Sequence, residues 1–344
     1  MSTLSTSGLA RLGFEEPEAV VEDLRVLGAW PAGATAGSSR LLHELGACAN
    51  PDLATRACAA IVAARADRDA FAAALRRHVG LRRRLIALVA ASRSLGRWLA
   101  AHPEEADRLA DGRVFARARP REALVDEALA LVRRERQGRG WDALRRFKRR
   151  ELLRIAVRDL AGGVPVDTVG AELASLADAC LEAALELAAD AVGAGPGADG
   201  VPPLRLAVLG MGKLGGSELN YVSDIDVLLC HEPALGTDLE HATRLAAAIG
   251  RALLAGLGAV NPEGPGYRVD VNLRPEGRNG PLSRTLASYV AYWDRWAQPW
   301  EMQALIKARP AAGDRDLAAR FCAEAARRVY PSGSTPRRSP PSAT

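Results

Sequence analysis

The sequence predicts an α+β protein: a mainly helical N-terminal region, then a core with a small mixed sheet and C-terminal helices. Three observations predict it. Apolar residues recur at three- and four-residue steps through about residue 160, the period of helices with one buried face. Between Leu204 and Cys230, two apolar runs flank a glycine-rich turn and the triplet Asp224-Ile225-Asp226. Tyr267 to Leu273 then alternates apolar and polar residues, the period of a strand.

Taken in order, residues 1–20 are small and mixed and are expected to fray. Leu41, Leu42 and Leu45, then Leu53, Ala57 and Ile61, then Phe71, Leu75 and Val79 mark successive helices. Pro31 and Gly33, Asn50-Pro51 and His102-Pro103 read as boundaries between them. Pro103-Glu104-Glu105 has the proline and acids of a helix first turn. Trp141 to Leu160 is a basic helix, expected to lie on the surface with a solvated arginine face. The alternative is that some of its arginines approach phosphate or an acidic partner. A helix from about Thr168 to Val192 buries Leu173, Leu176, Cys180, Ala184 and Leu187. Gly193 to Gly200 has the composition of a linker.

Asp238 to Leu257 reads as a further helix, and Arg274 to Pro281 as a loop. In the 267–273 strand, Tyr267, Val269, Val271 and Leu273 share one face, which puts Asp270 on the other. Tyr289, Tyr292, Trp293, Trp296 and Trp300 follow helical spacing and are expected to be packing residues. From Pro331 the chain is rich in proline and serine, the composition of a disordered tail. The expected division is residues 1–165, 166–330 and the tail 331–344.

Composition excludes several classes. The net charge of +5 comes almost entirely from arginine, with lysine only at 148, 213 and 307. No basic stripe with interleaved aromatics accompanies it, so no nucleic-acid partner is expected. Five scattered cysteines and five dispersed histidines suit neither a disulfide framework nor a zinc site and fit a reducing cytoplasm. No signal peptide opens the chain and no apolar run approaches the roughly 18 residues of a membrane span, so no membrane association is expected.

Gly210-Met211-Gly212-Lys213-Leu214-Gly215 has the spacing G-x-G-x-x-G after a strand. A dinucleotide fold needs a crossover helix after it and an acid that ends the next strand. Only Ser217 to Ser223 separate Gly216 from Asp224, too few for that crossover, and the acids begin the second strand. A P-loop motif is absent. What remains is two neighbouring strands joined by a glycine turn, with Asp224 and Asp226 projecting together. Carboxylates this close repel unless a cation lies between them, and oxygen ligands favour Mg²⁺ or Mn²⁺. Asp270 is the natural third carboxylate.

This pattern resembles the nucleotidyltransferase superfamily typified by DNA polymerase β. GMGKLGGSELNYVSDIDVLL, with RVDVNLRPEGRNGPL downstream, resembles more narrowly the glutamine synthetase adenylyltransferase/adenylyl-removing enzymes. SLGRWLAAHPEEADRL (94–109), LRRFKRRELLRIAVRDLAG (144–162) and YWDRWAQPWEMQALIKARPAAGD (292–314) carry the same resemblance. It implies that residues 166–330 form an adenylyl-removase-like nucleotidyltransferase domain with flanking helices. A single such domain after a helical region is similar to the N-terminal half of these two-domain enzymes, in apparently truncated form.

The implied activity is metal-dependent phosphorolysis of AMP from an adenylylated tyrosine of glutamine synthetase, releasing ADP. The open alternatives are AMP transfer from ATP to that tyrosine, and an inactive fragment that only binds the synthetase. Asp224, Asp226 and Asp270 would be the catalytic and metal-ligating residues, with Mg²⁺ or Mn²⁺ as cofactor. Gly215, Gly216 and Ser217 would hold phosphate oxygens of ADP, ATP or inorganic phosphate, and Lys213 and Arg274 would counter their charge. Glutamine synthetase is the expected protein substrate, and a PII-type nitrogen-signalling protein a further partner.

Overall fold

A computed structural model describes residues 6–30, 35–135, 138–195 and 202–330. The boundary at Pro31 and Gly33, residues 196–200 of the expected linker, and the expected tail at 331–344 lie outside the described residues. The architecture is α+β, as the sequence predicts. The chain forms two compact units, one from residues 1–119 and 149–169, the other from 120–148 and 170–344. The division therefore does not follow a single cut at residue 165: residues 120–148 belong with the sheet-containing unit.

Among the described residues the first unit is entirely helical. Its helices start where the sequence supplies caps. Thr35 accepts from the Ser38 amide, Asn50 from that of Leu53, His78 Nδ1 from that of Leu81, and Ser92 from that of Leu95. Each satisfies an amide the first helical turn leaves without a partner. Leu41, Leu45, Ile61, Leu75, Leu85 and Leu88 are fully buried in its core.

Several expectations are corrected here. The N-terminal segment is not frayed throughout: Thr6–Arg11 is helical, and Leu9, Phe14 and Val20 are buried. Asp52 holds this segment by accepting from the amides of Glu15 and Glu16 at 2.9 and 3.1 Å. Val79 does not continue the Phe71–Leu75 stripe, because His78 caps a new helix and leaves Val79 exposed. Pro103-Glu104-Glu105 does open a helix, as expected, and that helix, Pro103–Ala110, is of the 3₁₀ kind.

The basic helix spans Gly140–Gly162, and its arginine face is not solvated. Arg145, Arg154 and Arg158 are buried, donating to the carbonyls of Gly256 and Ala259, to Glu151, and to the carbonyl of Phe115, respectively. Guanidinium groups survive burial when most of their N–H groups find acceptors.

The second unit is built on a mixed sheet. Strands β1 (Leu204–Gly210), β2 (Ile225–Pro233), β5 (Val269–Asp270), β6 (Ser283–Thr285) and β7 (Arg309–Gly313) form it, while β3 (Val260–Asn261) and β4 (Gly264–Pro265) make a separate hairpin. β1 lies between β2 and β7, antiparallel to both. β5 and β6 pair in parallel with successive stretches of β2. The antiparallel β1–β2 pair rules out the parallel βαβ unit of a dinucleotide fold.

Both faces of β2 are covered. Leu229 meets the helix Leu239–Gly258, which comes close because residue 250 is glycine; a Cβ there would lie 2.8 Å from Leu229 and 2.7 Å from Leu282. Leu228 and Cys230 face the other way, into a cluster with Tyr289, Trp293 and Phe321. Phe321 meets Tyr289 and Trp293 edge-on at 4.9 and 5.1 Å between centroids, a favourable aromatic geometry. The aromatic stripe is only half packing, however. The helix stops at Arg295 and a new one starts at Pro299, leaving Trp296 and Trp300 exposed.

Candidate active site

The glycine turn is built by backbone geometry. After β1 the chain enters one helical turn, Gly212–Gly215, and the amide of Met211 donates to the carbonyl of Asp226 at 2.8 Å, tying the turn to β2. Gly212 has a φ of +51°, and a Cβ there would run into the Asp226 carboxylate. Gly215 packs directly against the carbonyls of Lys307 and Gly210, so no side chain fits there. The glycines thus let the turn sit against both β2 and the approach to β7.

Asp226 and Asp270 are register partners across the parallel β2–β5 pair. Adjacent strands run about 4.8 Å apart, so in-register neighbours project side by side from one face. Asp224 precedes β2 by one residue and lies two residues from Asp226. Burial first, then the neighbouring Asp270 and Asp224, hold the Asp226 carboxyl above its usual range, while Lys213 pulls it down. That cause assigns the three carboxylates and Lys213 to one electrostatic neighbourhood. Asp224 is ion-paired with the exposed Arg268. Asp270 accepts from the amide of Asn272 at 2.7 Å.

This last bond explains why the predicted 267–273 strand is cut to two residues. A carboxylate that captures the amide two residues on forms a turn in place of a ladder. Leu273 still reaches the cluster around Tyr289, and Tyr267 is buried.

The other expected phosphate ligands are differently engaged. The amides of Gly215, Gly216 and Ser217 donate to Met211, Gly212 and Leu214 carbonyls at 2.8, 3.0 and 3.1 Å, so the turn itself uses them. The exposed Ser217 takes a left-handed φ of 54°. Arg274 donates to the carbonyls of Val271, Gly280 and Arg278 at 2.9, 3.2 and 3.3 Å, closing the loop that follows β5. Lys213 is exposed beside Asp226.

Among the described residues, no three His, Cys, Asp or Glu side chains are arranged as a ready-made metal cage. The donor set nevertheless fits a hard divalent ion. Mg²⁺ binds through one or two carboxylates together with substrate phosphates, and the mutual repulsion at Asp226 is what a cation relieves.

Sequence reasoning missed the support beneath the turn. Arg309, on β7, donates Nε and Nη2 to the Leu214 carbonyl at 3.1 and 2.9 Å, and Nη1 and Nη2 to Asp178 at 2.6 and 3.1 Å. Asp178 is 1% exposed, on the helix Val166–Ala191, and also receives Arg121 Nε at 2.9 Å. The readable signal was an aspartate set among the apolar stripe of that helix, where a charge needs a partner.

Residues 82–324 match the family described as Glutamate-ammonia ligase adenylyltransferase. The bifunctional glutamine synthetase adenylyltransferase/adenylyl-removing enzyme of Streptomyces avermitilis is 40% identical over 327 residues, covering 94% of this chain and 31% of that protein. The enzyme of the same description from Streptomyces coelicolor is 40% identical over 321 residues, covering 92% and 31%. That from Mycobacterium avium is 37% identical over 332 residues, covering 94% and 33%. The chain therefore spans about a third of the length of the curated relatives it matches. With the family description matched across more than half of its residues, the chain belongs to the glutamate–ammonia ligase adenylyltransferase family.

Proposed function

We propose that this chain removes AMP from an adenylylated tyrosine of glutamine synthetase by phosphorolysis, releasing ADP. The observation that carries this reading is the in-register pair Asp226–Asp270 beside the glycine turn, in a chain of this family. An oxygen of inorganic phosphate forms a bond to the phosphorus of the tyrosine-bound AMP as the phosphorus–phenol oxygen bond breaks. The phenol oxygen leaves with the electron pair and takes a proton from solvent. Because phosphate is already anionic at neutral pH, Asp270 need not act as a base in this direction.

Asp226, Asp270 and Asp224 would hold a divalent cation, Mg²⁺ or Mn²⁺, and Asp224 would exchange Arg268 for it. Bound there, the cation would offset the phosphate charge and favour displacement in line. Lys213 would add a positive charge at the same mouth, and the exposed Ser217 hydroxyl would reach a phosphate oxygen. Arg274 would shape the loop behind Asp270, consistent with its three backbone acceptors.

The test is to combine the purified chain with adenylylated glutamine synthetase, Mg²⁺ and phosphate and to follow ADP. Release that falls at least about 10²-fold in Asp226→Asn supports the reading. Transfer of AMP from ATP to unmodified synthetase would reverse the direction. Binding of the synthetase with no turnover in either direction would overturn both.

A further inference from the structure

The short helical turn Gly212–Gly215 ends in a reversal that folds Glu218 back over it. Ser217 takes its left-handed φ of 54°, and the amides of Ser217 and Glu218 donate to the Leu214 and Lys213 carbonyls at 3.1 and 3.0 Å. This pair of bonds closes a helix whose next residue is left-handed. Glu218 is thereby thrown across the turn: a Cβ on Gly216 would lie 3.0 Å from Glu218 Oε1. An anionic oxygen therefore already rests on the exposed glycine backbone.

That same oxygen accepts from Lys307 Nζ. Lys307 follows the helix Pro299–Leu305, and its main chain is pinned beside the turn. Its carbonyl packs on Gly215, and Arg309, two residues on, donates to the Leu214 carbonyl at 2.9 and 3.1 Å. The side chains are not pinned, since those of Lys307 and Glu218 are 48% and 53% exposed. An exposed pair of long side chains contributes little net stability, so a more highly charged oxyanion can take the ammonium from it.

Lysine usage points the same way. Of 46 basic residues only three are lysines, and two of them, Lys213 and Lys307, flank this turn. Lys213 acts on the Asp226 carboxyl, and Lys307 reaches the turn from the approach to β7. An ammonium on a flexible stem can change partners, whereas a guanidinium fork suits one fixed set of acceptors, as at Arg309.

We propose that Lys307 seats the attacking inorganic phosphate on the glycine turn, and that the Glu218 carboxylate holds this seat until phosphate displaces it. The exchange moves no proton and breaks no covalent bond, because Lys307 trades one oxyanion for another. Glu218 is then a competitor built into the site, and the two members of one ion pair act on phosphate in opposite directions. This role rests on the phosphorolysis proposed above, for which it supplies the seat of the nucleophile.

The test is titration of inorganic phosphate into the whole chain with Mg²⁺, followed by ³¹P NMR. Beside it runs the phosphate KM of ADP release from adenylylated glutamine synthetase. Lys307→Ala should weaken phosphate binding at least about tenfold. Glu218→Gln should tighten it about threefold. KM for phosphate should follow these constants while kcat changes less. Both residues are exposed, so circular dichroism and thermal midpoints of the variants should match the parent. A merely structural ion pair predicts that both variants weaken binding alike; that result, or no change in either, would overturn the proposal. So would shifts confined to titrations with ATP, which would place the nucleotide's own phosphates at Lys307. Opposite shifts in phosphate binding with no ADP release from the parent would leave the seat standing and remove the phosphorolysis.

Discussion

His231 stands on β2 with both ring nitrogens engaged and 1% of its surface exposed. Nε2 lies 3.1 Å from Thr243 Oγ1, and that hydroxyl donates its own proton to the Leu239 carbonyl at 2.7 Å. The threonine oxygen is therefore left to accept, which assigns the ring proton to Nε2. Nδ1 lies 2.8 Å from Ser283 Oγ, a hydroxyl that also reaches the Leu229 carbonyl at 3.3 Å, so the ring is engaged on both sides. Burial lowers the pKa of His231, opposed by the neighbouring Glu232. Above pH 6.5, the ordinary histidine value, folded and unfolded chains are both neutral here and the stabilisation is complete. As pH falls through that value, the unfolded chain takes a proton that the folded chain refuses, and stability declines until the lowered folded pKa is reached. Chemical denaturation between pH 7.5 and about 5 should show this decline, and His231→Gln should flatten it. An equal slope in the variant would show that other groups carry the acid sensitivity. At this scale the sequence was legible where a charge broke an apolar strand, as at Asp226 and Asp270. Arg154 and Arg158 were not legible, because a solvated guanidinium and one anchored on a buried carboxylate or a backbone carbonyl leave the same helical pattern.

At the scale of elements, the glycine turn rests on Arg309. One guanidinium joins β7 to the Leu214 carbonyl and to Asp178 on the helix Val166–Ala191, so three elements share one positive charge. Removing one partner of a buried charge leaves the other uncompensated. Arg121 remains on Asp178, which limits the loss. Arg309→Ala should destabilise the chain by about 2–3 kcal/mol in denaturant unfolding. Arg309→Lys should recover only part of it, because a single ammonium cannot span both acceptors. A loss within about 0.5 kcal/mol, the range of ordinary surface changes, would remove Arg309 from this role. The element boundaries that the sequence blurred have local causes as well. Asp270 ends β5 by capturing the Asn272 amide, and Pro299 splits the predicted aromatic helix. Alternation and helical spacing report which face a residue prefers; they do not report a side chain competing for the backbone.

At the scale of the whole chain, the consequential residues are 120–148. Helical periodicity alone assigns them to the N-terminal region, yet they complete the second unit. Arg121 donates to Asp178 at 2.9 Å and to the Ala311 carbonyl at 2.6 Å. The Trp141 ring lies against Gly256, where a Cβ would collide with it. Arg145, 5% exposed, donates to the Gly256 and Ala259 carbonyls at 2.6 and 3.0 Å, and Lys148 sits 3.9 Å above the Tyr267 ring. A chain of residues 166–330 loses all of these together. It leaves the carbonyls of Ala311, Gly256 and Ala259 short of a donor and bares the surface that Trp141 covers. Each lost charged hydrogen bond costs about 1.5–3 kcal/mol, and a domain has only about 5–15 kcal/mol in hand. Residues 166–330 should therefore show no cooperative thermal transition, whereas residues 120–330 should unfold in a single one. The longer piece still bares Leu153, Ala156 and Val157, which belong to the core of the first unit, so it should be less soluble than the full chain. Equal midpoints for the two pieces would mean that residues 120–148 are dispensable and that the cut read from sequence is the physical one.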